Sequence, residues 1–93
     1  MSEVYEVEYH PMVIHDDIPS LGTSEKKAIQ KAIERKLTVF PQHFGLPLKH
    51  SLQGCWKLRV GDYRVIYVIE KAKVIVIRIG HRKEVYKKRL PRL

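Results

Sequence analysis

Five side chains in the second half of the chain have the types and spacing to work on a phosphodiester: Lys57, Arg59, Arg64, Arg82 and Tyr86. The first three sit in Cys55-Trp56-Lys57-Leu58-Arg59-Val60-Gly61-Asp62-Tyr63-Arg64-Val65-Ile66-Tyr67. Here apolar and basic residues alternate up to Gly61-Asp62, and a second strand follows. Gly-Asp between alternating runs predicts a two-residue hairpin turn, with Gly first as a type II′ turn prefers. Val60 then faces Tyr63, and Arg59 faces Arg64. A strand's side chains alternate with a period of two, so Lys57, Arg59 and Arg64 share one face. Like charges placed opposite each other destabilise a sheet, which points to an anion between them. Arginine offers a planar donor fork to phosphate oxygens, and lysine a compact charge. An aromatic ring nearby can stack on an unpaired base. Cutting RNA requires a positioned 2′-OH, a base, cations for the charge developing at phosphorus and an acid for the leaving 5′-oxygen. Lys57 is the side chain on that face able to exchange a proton, whereas arginine keeps its own and suits charge stabilisation.

The elements that must carry these residues read as follows. Residues 3–9 alternate, with Tyr5, Val7 and Tyr9 on one face and Glu6 and Glu8 on the other, which predicts a half-buried strand. Residues 12–18 are compatible with a short helix that stops before Pro19. Ile29, Ala32, Ile33, Leu37 and Phe40 recur at helical spacing and predict a helix over 24–39, capped by Thr23 or Ser24 and ended by Pro41. Residues 41–54 read as loop. Strands are predicted at 55–60, 63–70 and 73–79. A three-residue loop, Lys71-Ala72-Lys73, would place Ile75, Ile77 and Ile79 on the face of Trp56, Leu58, Val65 and Tyr67, and Arg78 on the basic face; a two-residue turn would reverse this. The three-residue loop is preferred because it gathers one apolar face. Residues 82–89 are expected to form a short C-terminal helix. The fold class expected is two-layer α+β: an N-terminal strand and helices on one face of a mostly antiparallel twisted sheet, the other face open, as one domain over residues 1–93.

Net charge is +8, distributed unevenly. Residues 1–48 carry 5 basic and 7 acidic side chains, and residues 49–93 carry 13 basic and 3 acidic. That asymmetry is an electrostatic footprint for nucleic acid. Lys83, Lys87, Lys88, Arg89 and Arg92 are expected to add undirected phosphate contacts, with Arg78 joining the basic face. A membrane partner is not expected, because no apolar run approaches the roughly 20 residues of a bilayer span. One cysteine, Cys55, excludes an internal disulfide, fits a reducing cytoplasm and reads as a small buried hydrophobe. The histidines lack ligand spacing, so neither a metal nor another cofactor is expected. His10, His15, His43 and His50 read as surface residues; Trp56, Tyr63 and Tyr67 read as core. His81 either caps a strand end or serves as a further acid or base.

The stretch from Leu52 to Tyr86 resembles the RelE-type toxins of toxin–antitoxin pairs, within the RelE/ParE superfamily. The resemblance rests on Leu52-Gln53-Gly54, Trp56-Lys57-Leu58-Arg59, Gly61-Asp62-Tyr63-Arg64-Val65-Ile66-Tyr67 and Ile79-Gly80-His81-Arg82-Lys83-Glu84-Val85-Tyr86. It implies a ribosome-dependent, metal-independent endoribonuclease that cleaves mRNA in the A site and halts translation, neutralised by a cognate antitoxin. By position, Lys57 matches a proposed general base or transition-state stabiliser. Arg59 stands where a second cation, often lysine, is found. Arg64 matches the phosphate-stabilising arginine, Arg82 the arginine at the leaving group, and Tyr86 the tyrosine that stacks on the base and orients the 2′-OH. Some relatives use a histidine near the C-terminus, which makes His81 a candidate. Two departures stand out: the segment between Arg82 and Tyr86 is shorter than in some relatives, and arginine at 59 cannot act as a base. The alternatives are a ParE-like DNA gyrase inhibitor and a non-catalytic RNA-binding module.

Overall fold

The computed structural model describes residues 4–91. Its frame is a five-stranded sheet made of β1 (Glu6–Tyr9), β2 (Leu46–Pro47), β3 (Trp56–Val60), β4 (Tyr63–Glu70) and β5 (Lys73–His81), in the order β1-β5-β4-β3-β2. β1 runs parallel to β5, and the other neighbours are antiparallel. Val7 and Tyr9 are half-buried while Glu6 and Glu8 are exposed, as the alternation requires. The fold class is thus α+β, with helices on one face of a mostly antiparallel sheet.

The main helix, α1 (Thr23–Ala32), continues through a π-helical turn over Ile33–Leu37. Ile29, Ile33 and Leu37 recur every fourth residue along it and are buried against Leu58, Val65, Tyr67, Val74, Val76 and Ile79 of the sheet. The N-cap is Gly22, with no side-chain cap. The hydroxyl of Ser24, expected to cap, donates to Glu25 Oε2 at 2.9 Å instead. Pro41 opens a further short helix, α2 (Pro41–Phe44), within the stretch read as loop. The segment after β1 is helical, as a π-turn at Val13–Asp17 and a 3-10 turn at Ile18–Ser20. It does not stop before Pro19: the ring lies in the first turn of that 3-10 stretch, where its missing N–H has no helical partner to lose.

The β3–β4 hairpin has the expected register, with Val60 opposite Tyr63, Arg59 opposite Arg64 and Leu58 opposite Val65. Gly61 sits at φ 58°, the left-handed conformation that the first position of such a turn needs. The β4–β5 connection differs from expectation. It is a two-residue turn, Lys71-Ala72, with Glu70 opposite Lys73 and Lys71 at φ 56°. A two-residue turn alone would send Arg78 to the helix side. A bulge prevents this: Tyr67 pairs with Val76 but Ile66 pairs with Arg78, leaving Ile77 extra. Val74, Val76 and Ile79 therefore face the helices. Ile75 and Ile77, expected on that face, lie on the other one, and Arg78 does share the face of Lys57 and Arg64.

That second face is not fully open. Ile66, Ile77 and Val85 form a small buried cluster flanked by Leu48, Cys55, Val68, Ile75 and Leu90. Its cover is the segment after β5, which folds back over the sheet. The segment is not the expected helix but a run of turns, in which the Glu84 and Val85 amides donate to the His81 carbonyl (2.8 and 2.9 Å) and the Lys87 amide donates to the Glu84 carbonyl (3.0 Å). Among the described residues no helix is long and apolar enough to cross a membrane.

Candidate nucleic-acid interface

The second sheet face carries the cations. Lys57 and Arg59 stand two apart on β3, and Arg64 lies directly across from Arg59 on β4. Among the described residues none of the three has a carboxylate within ion-pairing distance. Arg64 is half-buried and folds over its own turn, its Nη1 donating to the carbonyls of Gly61 (3.0 Å) and Tyr63 (2.8 Å). Arg59 projects into solvent and Lys57 is half-buried. The hairpin tolerates the opposed arginines because backbone carbonyls hold one of them while water solvates the other.

Tyr86 reaches this face from the folded-back segment. Its neighbour Val85 is buried in the second cluster and anchors it. Tyr86 remains 43% exposed. Partial burial raises its hydroxyl above the ordinary tyrosine value, the positive charge of Arg64 pulls the other way, and Cys55 adds to the rise. The segment that carries Tyr86 packs through Val85 against Ile66 and Ile77, on the Lys57 side of the sheet. Burial likewise pushes the Cys55 thiol up, away from the reactive thiolate.

The remaining candidates divide. Arg82 stands at the hairpin end, its amide donating to the Asp62 carbonyl (2.8 Å) and its Nε 3.7 Å from Asp62 Oδ1, with both side chains exposed. His81 pairs across the sheet with Tyr63, a helix-side residue, and its ring meets the Tyr63 ring edge-on at 5.5 Å. It therefore faces away from Lys57, Arg59 and Arg64. Lys83, Lys87, Lys88 and Arg89 are exposed, Lys87 within 3.3 Å of Glu84 Oε1; Arg92 lies outside the described residues. Arg78, expected to meet RNA, turns inward. Its Nη1 donates to the carbonyls of Val85 (3.0 Å) and Lys88 (3.1 Å), its Nη2 to that of Arg89 (2.8 Å), and its Nε lies 4.0 Å from Asp17 Oδ2. Asp17, which nothing in the sequence singles out, also accepts the Ile79 amide at 3.0 Å. Burial raises its carboxyl above the ordinary value, against the Ile79 amide and the Arg78 charge, which lower it.

The surface has a cleft of about 500 Å³ beside Asp17, Arg78 and His81, and two of about 350 and 330 Å³ along α1; Lys57, Arg59 and Arg64 line none of them. The cations thus form a platform outside these clefts, with Arg59 exposed and Lys57 and Arg64 half-buried, a shape suited to an extended strand. Among the described residues no group of three His, Cys, Asp or Glu is placed to hold a metal ion.

Residues 13–86 match the family described as the ParE toxin of the type II toxin–antitoxin system, parDE. The chain belongs to the RelE/ParE toxin superfamily. Two toxins of Mycobacterium tuberculosis are similar in sequence: Toxin RelG, 36% identical over 50 residues covering 52% of this chain and 58% of the relative, and Toxin RelE, 39% identical over 49 residues covering 50% of each. The matches thus span little more than half the length of these relatives. In three dimensions, this toxin is similar to a chain of the RelBE2 toxin–antitoxin complex of the same organism, with a TM-score of 0.80 and 27% identity over 86% of this chain and 93% of that one. A conserved hypothetical protein of Helicobacter pylori shares the fold, with a TM-score of 0.62 and 14% identity over 85% of this chain and 96% of that one.

Proposed function

We propose that this toxin is a metal-independent endoribonuclease that cleaves mRNA in the ribosomal A site and stops translation. The observation that carries the reading is the gathering of Lys57, Arg59 and Arg64 on one sheet face, onto which the segment carrying Tyr86 folds through Val85. In this mechanism the RNA's own 2′-oxygen attacks phosphorus while the bond to the 5′-oxygen breaks, giving a 2′,3′-cyclic phosphate and a 5′-hydroxyl. Lys57 takes the 2′-OH proton or steadies the charge that develops. Arg59 and Arg64 stabilise the extra negative charge at phosphorus, Arg82 steadies the leaving 5′-oxygen, which takes its proton from water, and the Tyr86 ring stacks on the base. His81, on the Tyr63 side of the sheet, has no part in this scheme. Lys83, Lys87, Lys88 and Arg89 add phosphate contacts that salt weakens. The toxin acts in the cytoplasm as a single domain, and a cognate antitoxin covers the basic face, in keeping with the toxin–antitoxin complex to which the chain is structurally similar.

The test is in vitro translation with mapped mRNA 3′ ends. Cuts inside ribosome-bound codons, absent on naked RNA, are expected, and Arg64→Ala should lower their rate by about 10²–10³-fold. The match to the ParE family supports a second reading, inhibition of DNA gyrase without nuclease activity. Intact message together with trapped gyrase–DNA complexes would establish that reading instead. An Arg82→Ala/Tyr86→Ala protein that still arrests growth would also exclude catalysis and favour gyrase inhibition or simple RNA binding.

A further inference from the structure

We propose that Arg78 is a positioning residue that fixes the segment carrying Tyr86 against the basic sheet face, with Asp17 as its brace. This rests on the reading of Tyr86 as the residue that meets the RNA base. Tyr86 lies in a segment without helix or strand, so few backbone bonds fix it. The turn bonds donated by Glu84, Val85 and Lys87 end before the carbonyls of Val85, Lys88 and Arg89 are engaged. Arg78 takes all three. One guanidinium thus grips the chain immediately before Tyr86 and again two and three residues beyond it. The Arg78 side chain is only 13% exposed and that of Asp17 17%. Asp17 is itself tied to the sheet through the Ile79 amide, next to Arg78. The grip therefore runs from the sheet, through a carboxylate and a planar fork, to the Tyr86 segment, while Val85 provides the apolar anchor. Lysine cannot reproduce it: a single ammonium lacks the fork geometry that spans carbonyls several ångströms apart. Misplacement by about 1 Å costs on the order of 10²-fold in a rate that depends on alignment.

The variants are Arg78→Lys, Arg78→Met and Asp17→Asn, each also combined with Tyr86→Ala. Cleavage of ribosome-bound mRNA is followed as kcat and KM, and the amides of residues 85–90 by hydrogen exchange. In Arg78→Met, kcat should fall by about 10–10²-fold with KM little changed, since Lys57, Arg59, Lys83 and Lys88 still bind. Asp17→Asn should fall less. In the Tyr86→Ala background the Arg78 change should add almost nothing, because its effect passes through the ring. Additive losses, a full rescue by Arg78→Lys, or a loss in Arg78→Met alongside unchanged exchange at 85–90, would overturn the inference. If the parent protein cuts no message, the nuclease reading falls, and the inference is decided by structure alone. Faster exchange at 85–90 and a shifted Tyr86 ring resonance in Arg78→Met then uphold it, and an undisturbed ring and segment refute it.

Discussion

Replacing Tyr67 with Phe gives a stability change whose size depends on pH in a calculable way. Tyr67 is fully buried on the helix side of β4, and its hydroxyl donates to the Pro41 carbonyl at 2.6 Å. Burial pushes its pKa from 10.0 up to about 12. The folded state therefore holds the neutral phenol more tightly than the unfolded chain does. The stability associated with that preference is present in full below the unfolded value and is lost as pH rises through the folded one. A shift of about two units corresponds to about 2.7 kcal/mol, lost between about pH 10 and pH 12. At neutral pH, Tyr67→Phe removes the hydroxyl and leaves the Pro41 carbonyl without its donor, a cost of about 1–3 kcal/mol. Because the variant has no phenol at 67 to ionise, the gap between the two proteins should shrink toward zero by about pH 12. Urea unfolding of both proteins at a series of pH values measures that gap directly. Tyr9 and Tyr86, whose hydroxyls are also raised by burial, titrate in both proteins and cancel in the difference. A gap that stays constant from neutral to strongly alkaline pH would refute the reasoning.

Two further changes probe the platform and its support. Gly45→Ala places a methyl group against the Tyr67 hydroxyl and 3.2 Å from the Lys57 carbonyl oxygen. It should destabilise the protein by about 1–3 kcal/mol in urea melts, and an unchanged midpoint would show that the contact yields. Arg59→Thr removes one of two directly opposed cations and should raise the stability of the free toxin by about 0.2–1 kcal/mol, while lowering its rate of RNA cleavage. A less stable variant would show that the opposed pair is no burden to the sheet.

The parts of this fold that could be read from sequence are those governed by local rules. Gly61-Asp62 fixes a turn, the turn fixes a register, and the register puts Lys57, Arg59 and Arg64 on one side. The β4–β5 hairpin resisted because Lys71-Ala72 has no turn signature and because a bulge resets the alternation midway. Val74 to Ile77 is a continuous apolar run buried on both sides of the sheet, so an alternation rule that assigns one apolar face misplaces half of it. The segment after β5 could not be read at all from its own residues. Its shape depends on carbonyls taken up by Arg78, a contact set by tertiary placement. The same holds for Asp17, the second of two adjacent acids in a short helical stretch, whose partners lie sixty residues away in sequence. Arg78 was visible as a cation on the correct face, but whether it points outward to a ligand or inward to the backbone is decided only by where the chain turns next.

The pairing of β1 with β5 joins nearly opposite ends of the described chain, Glu6 beside Lys73 and Tyr9 beside Val76. Parallel contacts of such long separation close late, after the loop entropy of most of the chain has been overcome. A nascent copy therefore cannot finish its sheet until the last strand has left the ribosome that is making it. For a protein proposed to attack ribosomes, that topology keeps the sheet incomplete until β5 has emerged.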